Sequence, residues 1–211
     1  MLQKNKHENA ESGHTGEFEQ LRRCNTVLQA IAHGSAHLLK SNNLSAGLAE
    51  FAAMLGAAAE VDRACLFENS LDADNMATAT AREEWLRPGV EADRTQQALS
   101  RSLPWSAELA RWMTELANDR LIHGHAHEFS ADEGAWLTRQ GILSLLLAPI
   151  YVQDEWWGLI SLESLYAERD WSPAEQDAIR TAARTIGAAL ENARLQQDTQ
   201  NWAGHLAMLH E

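Results

Sequence analysis

Three histidines stand at alternate positions in the run RLIHGHAHEF, residues 120–129: His123, His125 and His127. Side chains at i, i+2 and i+4 of an extended strand face the same way. With Glu128 they form a nitrogen and oxygen set of the kind that zinc or nickel takes. Histidines clustered in a solvated loop between a strand and a helix are usually ligand-free, so no metal is expected. His123 is the member expected at a pocket rim. Cys65, inside VDRACLFEN, is a second reactive candidate, and His123 is the only partner on offer for a catalytic pair. A buried small hydrophobe is the commoner fate of a free cysteine. Glu163 closes a strongly apolar run, where a carboxylate meets either a ligand or an arginine. No Ser/His/Asp order, P-loop or glycine-rich phosphate cradle accompanies these groups, so catalysis is not expected.

Hydrophobic spacing gives the elements that position these groups. Residues 1–16 are polar and are expected to form a disordered tail. From residue 17 to 41 a helix is expected, because Leu21, Cys24, Leu28, Ile31, Ser35 and Leu38 repeat at intervals of three and four. That seam suits one partner helix. The polar KSNN (40–43) ends it, and a second helix runs from near Ser45 to Glu60. VDRACLFEN (61–69) and MATATAREEWL (76–86) read as strands, the second stopped by Pro88 and Gly89. Alternation puts Arg63, Cys65 and Phe67 on one face of the first.

Residues 103–120 are expected as one helix, N-capped by Ser106, with Leu109, Trp112, Met113 and Leu116 on its apolar side. SADEGAWLTRQG (130–141) is a short helix with Ser130 and Glu133 in capping-box spacing and Gly141 at its end. ILSLLLAPIYV and WWGLISLES form a tight hairpin through Gln153-Asp154-Glu155. Both runs are apolar on both faces, so the sheet is expected to be covered on both sides. The last helix starts at Ser172 (cap), Pro173 and Glu175, with Ile179, Ala182, Ile186, Ala189 and Ala193 as its stripe. Trp202, Leu206 and Leu209 continue the apolar spacing, which gives a rod of roughly 37 residues and ~55 Å. A rod of that length outreaches a small domain.

The bulk composition narrows the class. Thirty acidic residues against 17 basic ones give a formal charge of −13. That charge repels nucleic-acid backbones and anionic lipid, so neither is an expected partner. Cys24 and Cys65, without a CxxC, point to a reducing compartment. The N-terminus has no apolar h-region, and the longest apolar run, 141–152, is short of the ~20 residues a bilayer crossing takes. A cytoplasmic protein is expected.

Together EVDRACLFEN, REEWLRPGV, LIHG with the EF that follows, the hairpin and RDWSPAEQDAIRTAARTIGAALENARL resemble a GAF domain of a bacterial signalling protein over roughly 28–195. The resemblance implies an α+β fold. A central antiparallel sheet of five or six strands would carry helices on one face and a ligand pocket on the other, with long terminal helices. It implies a GAF domain over 17–195 and a linker, 196–211, to an absent or separate output module. The expected ligand-binding set comprises Cys65, Phe67, Trp85, Trp112 and Leu116. His123, Phe129, Trp136, Ser161 and Glu163 complete it.

The cyclic-nucleotide motif of the family is missing. Neither cysteine has the context that bilin-binding members need, and the cysteines of the methionine-sulfoxide reductases are absent. The expected function is therefore a non-catalytic sensor of an unidentified small molecule. It would signal as a homodimer, through its terminal helices, to an output domain. The alternative is a ligand-free dimerisation module of a histidine kinase or diguanylate cyclase, its pocket filled by its own tryptophans.

Overall fold

The computed structural model describes residues 2–40, 43–90 and 102–208. The long helix α1 (Leu2–Lys40) is followed by α2 (Leu44–Ala58), which Asn43 caps by accepting from the Ala46 N–H at 3.3 Å. The strands β1 (Arg63–Leu71), β2 (Ala77–Leu86) and β3 (Ser102–Pro104) come next. After the 3-10 turn Ala107–Leu109 and α3 (Ala110–Leu116) comes β4 (Ile122–His125). A second 3-10 turn, Ala126–Glu128, leads to α4 (Ala131–Arg139). The hairpin β5 (Ser144–Val152) and β6 (Glu155–Ser164) precedes α5 (Pro173–Met208).

Six strands make one antiparallel sheet in the order β3-β2-β1-β6-β5-β4. Strand alternation sorts its side chains into two cores. Ala64, Leu66, Leu146, Ile150, Ile160 and Leu162 meet a layer made by α1, α2 and α5. Cys65, Phe67, Leu145, Leu147 and Leu159 meet α3 and α4 on the other side. The hairpin is central, and its apolar faces are both covered, as expected from its composition.

Close approach in the helical layer depends on glycine. A Cβ on Gly187 of α5 would stand 2.1 Å from the Tyr151 carbonyl oxygen, so the helix lies directly on β5. A Cβ on Gly34 of α1 would stand 2.6 Å from Phe51 of α2.

The helices α1 and α5 run parallel. Cys24 Sγ donates to the Ala174 carbonyl at 3.6 Å, and Leu38 shares a groove with Ala189, Leu190 and Ala193. The chain therefore enters the domain at one end and leaves it at the other. Glu175, 1% exposed, ties the entry together. It caps α5 through the Ser172 hydroxyl at 2.7 Å, takes Arg169 at 2.5 Å and has Arg23 of α1 at 3.4 Å.

Three expectations change. Residues 2–16 continue α1 rather than form a disordered tail. No proline interrupts the first 40 residues, and adding a turn to an existing helix avoids the cost of nucleation. Residues 103–120 are not one helix, because Leu103 precedes Pro104, is pushed extended, and pairs with Ala79 as edge strand β3. The expected seam on α1 is split: Ile31 and Leu38 are buried in their own domain, whereas Leu21 and Leu28 are 67% and 46% exposed. Leu209 lies outside the described residues.

Replacing Gly187 with Val is expected to destabilise the fold by about 1–3 kcal/mol, the usual cost of overpacking. A urea-unfolding midpoint equal to that of the parent protein would contradict this contact.

Candidate functional site

On the α3/α4 side, strand pairing builds a chamber lined by Phe67, Leu145, Leu147, Leu159, Ser161 and Glu163, with Leu103 and Ile142 at its margins. Trp112 of α3 and Trp136 of α4 close it. Their rings meet edge to face at 5.6 Å, and Phe129 stands edge-on to Trp112 at 5.6 Å. The two lid helices are joined outside by Arg111 and Glu133, at 2.8 and 3.0 Å, and Arg139 of α4 bonds Glu108, in the 3-10 turn ahead of α3, at 2.7 Å. Burial opposes ionisation of Glu133, but its bonds from Arg111 and Ser130 hold its pKa below the ordinary value. The space has a volume of about 10 Å³, about the least that admits one water molecule.

One end of this apolar space is charged. The β1–β6 register sets Arg63 opposite Glu163, and both are buried, at 0% and 1% exposure. Arg63 Nε donates to Glu163 Oε2 at 2.7 Å, and its Nη2 donates to the same oxygen. The other carboxylate oxygen accepts from the Ser161 hydroxyl at 2.5 Å. Burial alone would lower the pKa of Arg63; the Glu163 carboxylate outweighs it and holds the guanidinium above its ordinary value. Cys65 lies on the same face, fully buried. Burial first, then the charge of Glu163, pushes its thiol well above its usual range. Such a thiol stays protonated and is a poor nucleophile.

The structure brings together Phe67, Trp112, Trp136, Ser161 and Glu163 from the expected ligand set, with Cys65 beside them. Leu116 is buried in the same cluster without lining the space, and Phe129 sits at its rim against Trp112. Trp85 lies elsewhere. It pairs with Ala64, not Cys65, so it points into the helical layer, where a Cβ on Gly56 would stand 2.3 Å from its ring. His123 also lies outside. Its neighbour Ile122 faces the chamber cluster, so alternation turns His123 to the other side, where it is exposed. Cys65 and His123 are thus separated by the sheet and form no catalytic pair.

The three histidines do not share one strand face, because β4 ends at His125 and His127 belongs to the following 3-10 turn. The rings of His125 and His127 stack at 5.4 Å. His125 Nε2 bonds Asp170 at 2.7 Å, and His127 Nδ1 bonds Glu168 at 3.1 Å. The pair clasps the loop leading into α5. Among the described residues no group of three or more His, Cys, Asp or Glu side chains is arranged to hold a metal ion.

Residues 43–190 match the GAF domain family. The chain belongs to the GAF family. It is 31% identical over 187 residues to the methanogenesis regulatory histidine kinase FilI of Methanothrix harundinacea, covering 89% of this chain and 21% of that protein. An uncharacterized protein of Azorhizobium caulinodans is 23% identical over 115 residues, 53% of this chain and 16% of the relative. The chain thus spans about a fifth or less of the length of these relatives.

Among solved structures, the phycocyanobilin-bound GAF domain of a cyanobacterial phytochrome superposes with a TM-score of 0.65 at 18% identity, covering 82% of this chain and 96% of that one. The bacteriophytochrome RpBphP3 of R. palustris superposes with a TM-score of 0.67 at 14% identity, covering 89% and 42%. At these identities the likeness shows the GAF fold alone.

Arg63 and the aliphatic lining are not among the residues that the sequence marks as ligand contacts. The signal for Arg63 lay in its sharing an expected face with Cys65, combined with an acid at the end of the hairpin.

Removing one partner of the buried pair, as in Glu163→Leu, is expected to destabilise the GAF domain by about 3–5 kcal/mol. The double substitution Arg63→Met/Glu163→Leu is expected to recover most of that loss. Additive losses in urea unfolding would contradict the pairing. His125 offers a pH test. Its hydrogen bond to Asp170 raises its pKa against a smaller effect of burial, with Glu128, Asp170 and Glu168 adding to the rise. Its stabilisation is therefore complete below the ordinary imidazole pKa of 6.5 and fades as pH rises through the elevated folded value. With Asp170 mostly in water, the difference from His125→Gln should stay under about 1 kcal/mol at low pH. A stability difference that grows with pH in paired unfolding curves would contradict the clasp.

Proposed function

We propose that this GAF domain is a non-catalytic sensory module. Its chamber takes a small molecule, and α5 carries the state of the chamber to an output module. The observation that best supports this reading is a bonded route from chamber to helix. Trp112 and Leu116 set α3 against the chamber cluster. The turn after α3 is held by α5: Arg180 Nη1 donates to the Asp119 carbonyl at 2.7 Å, and Arg184 Nη2 lies 3.5 Å from the Asp119 carboxylate. The Tyr151 hydroxyl donates to the Leu116 carbonyl at 3.2 Å, while the carbonyl of the same tyrosine abuts Gly187 of α5. A ligand that re-seats Trp112 therefore acts on a turn bonded to the first half of α5. Such a ligand shifts whichever arrangement it binds better.

The module works as a homodimer. Leu21 and Leu28 on α1, and Leu195 and Trp202 on α5, are large exposed apolar residues seven positions apart, the spacing of a two-helix seam. Likeness to the regulatory histidine kinase supports an output of that class. Two free thiols, the acidic charge and the lack of any described helix long and apolar enough to cross a membrane support work in the cytoplasm. A second reading is favoured by the chamber volume of about 10 Å³. With its own rings filling the space, the domain would serve only to dimerise.

Native mass spectrometry of protein from its own host separates the two. A dimer carrying a small molecule is expected, and a bare dimer would overturn the sensory reading in favour of the second. The double substitution Arg180→Met/Arg184→Met leaves the chamber intact and cuts the Asp119 branch of the route, with the Tyr151 branch in place. It is expected to bind the co-purifying molecule as the parent does while showing a smaller ligand-dependent change in hydrogen exchange over 173–186. An unchanged exchange response would remove Asp119 from the route.

A further inference from the structure

One ring that lines the chamber carries a donor without an acceptor. Trp112 is 1% exposed and its indole Nε1–H meets no partner. Buried polar groups are nearly always paired, and a specific exception calls for a missing acceptor. The polar end of the chamber has the opposite character. The Ser161 hydroxyl spends its proton on Glu163, so it offers only lone pairs to the chamber. Glu163 Oε2 is taken by Arg63, while Oε1 accepts one bond from Ser161 and has capacity for another. The carboxylate charge is already compensated by the guanidinium. A cationic ligand would therefore find no uncompensated charge to pair with, and an anionic one would face the carboxylate. Phe67, Trp112 and Trp136 supply flat aromatic walls between these groups.

Resting on the sensory reading above, we infer that the chamber selects an uncharged, planar heterocycle of one or two rings bearing an acceptor and a donor. The acceptor takes the Trp112 N–H, and an N–H or O–H of the ligand donates to Ser161 and Glu163. A lactam edge has this chemistry. Room comes from the lid. The indole of Trp136 closes the space, and the volume it occupies, that of a two-ring system, sets the upper size of a ligand that displaces it. A ligand in that slot satisfies the one polar group that the closed chamber leaves unpaired, so opening of the lid is offset by a new hydrogen bond.

Four two-ring probes of similar size test this on the whole chain by calorimetry: 2-quinolone (acceptor and donor), quinoline (acceptor), indole (donor) and naphthalene (neither). The expected result is 2-quinolone binding at least ~10-fold more tightly than naphthalene, with the single-function probes between them; ~10-fold is the worth of about one net hydrogen bond. Trp112→Phe keeps the aromatic wall and removes the N–H. It is expected to abolish the advantage of 2-quinolone over indole. Ser161→Ala, a second variant that leaves the lid untouched, is expected to cut the advantage of 2-quinolone over quinoline.

Equal affinity for all four probes overturns the donor–acceptor class and leaves the sensory reading standing. Failure of every probe while a small molecule still co-purifies overturns the inference alone. Failure of every probe together with a bare dimer from the host overturns both.

Discussion

The ion pair between Arg63 and Glu163 is the constraint on which the rest of the sheet depends. Taking two charges out of water costs several kcal/mol per ion, and only close, hydrogen-bonded geometry offsets that cost. A one-residue slip between β1 and β6 would turn every side chain of one strand over and leave both charges buried alone. The pair therefore punishes wrong registers more than it rewards the right one. Once β1 and β6 are aligned, Cys65 and Phe67 must face the chamber and Ala64 and Leu66 the helices. The same pair cancels charge at the polar end of the chamber, and its carboxylate, against the opposing effect of the guanidinium, adds to the burial that keeps the Cys65 thiol protonated.

The two faces of the sheet are built for different tasks. On the helical side, glycine at 34, 56 and 187 lets backbone and rings approach closely, which makes a rigid layer. On the chamber side, two short helices are held to each other by paired charges at their surface and by aromatic edges within. Short helices gain little stability on their own and rely on packing. Displacing one of their anchoring rings therefore disturbs the whole lid, whereas the helical layer behind the sheet resists. Tyr151 spans both, with its hydroxyl on α3 and its carbonyl against α5.

Much of this was legible in the sequence where a local rule decides the outcome. The capping boxes at Ser130/Glu133 and Ser172/Glu175 form as their spacing requires. The hairpin turns at Gln153, which takes a positive φ of 56°. Alternation placed Arg63, Cys65 and Phe67 together. Where a residue's face depends on strand register, alternation alone was not enough: Trp85 follows Ala64 into the helical layer, and β1–β2 pairing carries a register shift between Leu66 and Phe67. Alternation also failed for His127, because the strand had already ended. Helical periodicity read Leu103 as helical, since it does not weigh the restriction a following proline imposes. On α1 it located the apolar positions but could not say which would face their own domain. The apolar lining of the chamber is indistinguishable by composition from ordinary core, because both need the same side chains.

Parallel α1 and α5 make the domain a segment of shaft whose two ends point along one heading. Copies of such a unit, or unlike units built on the same plan, can be threaded on a common axis without reversing the chain. The angular setting of each on the next then depends on the number of residues between them. Loss of one residue from the connecting helix turns everything beyond it by about 100°, whereas loss of seven turns it by only about 20°. In a longer protein containing this segment, the length of its connectors is therefore a functional quantity even where their composition is free to drift.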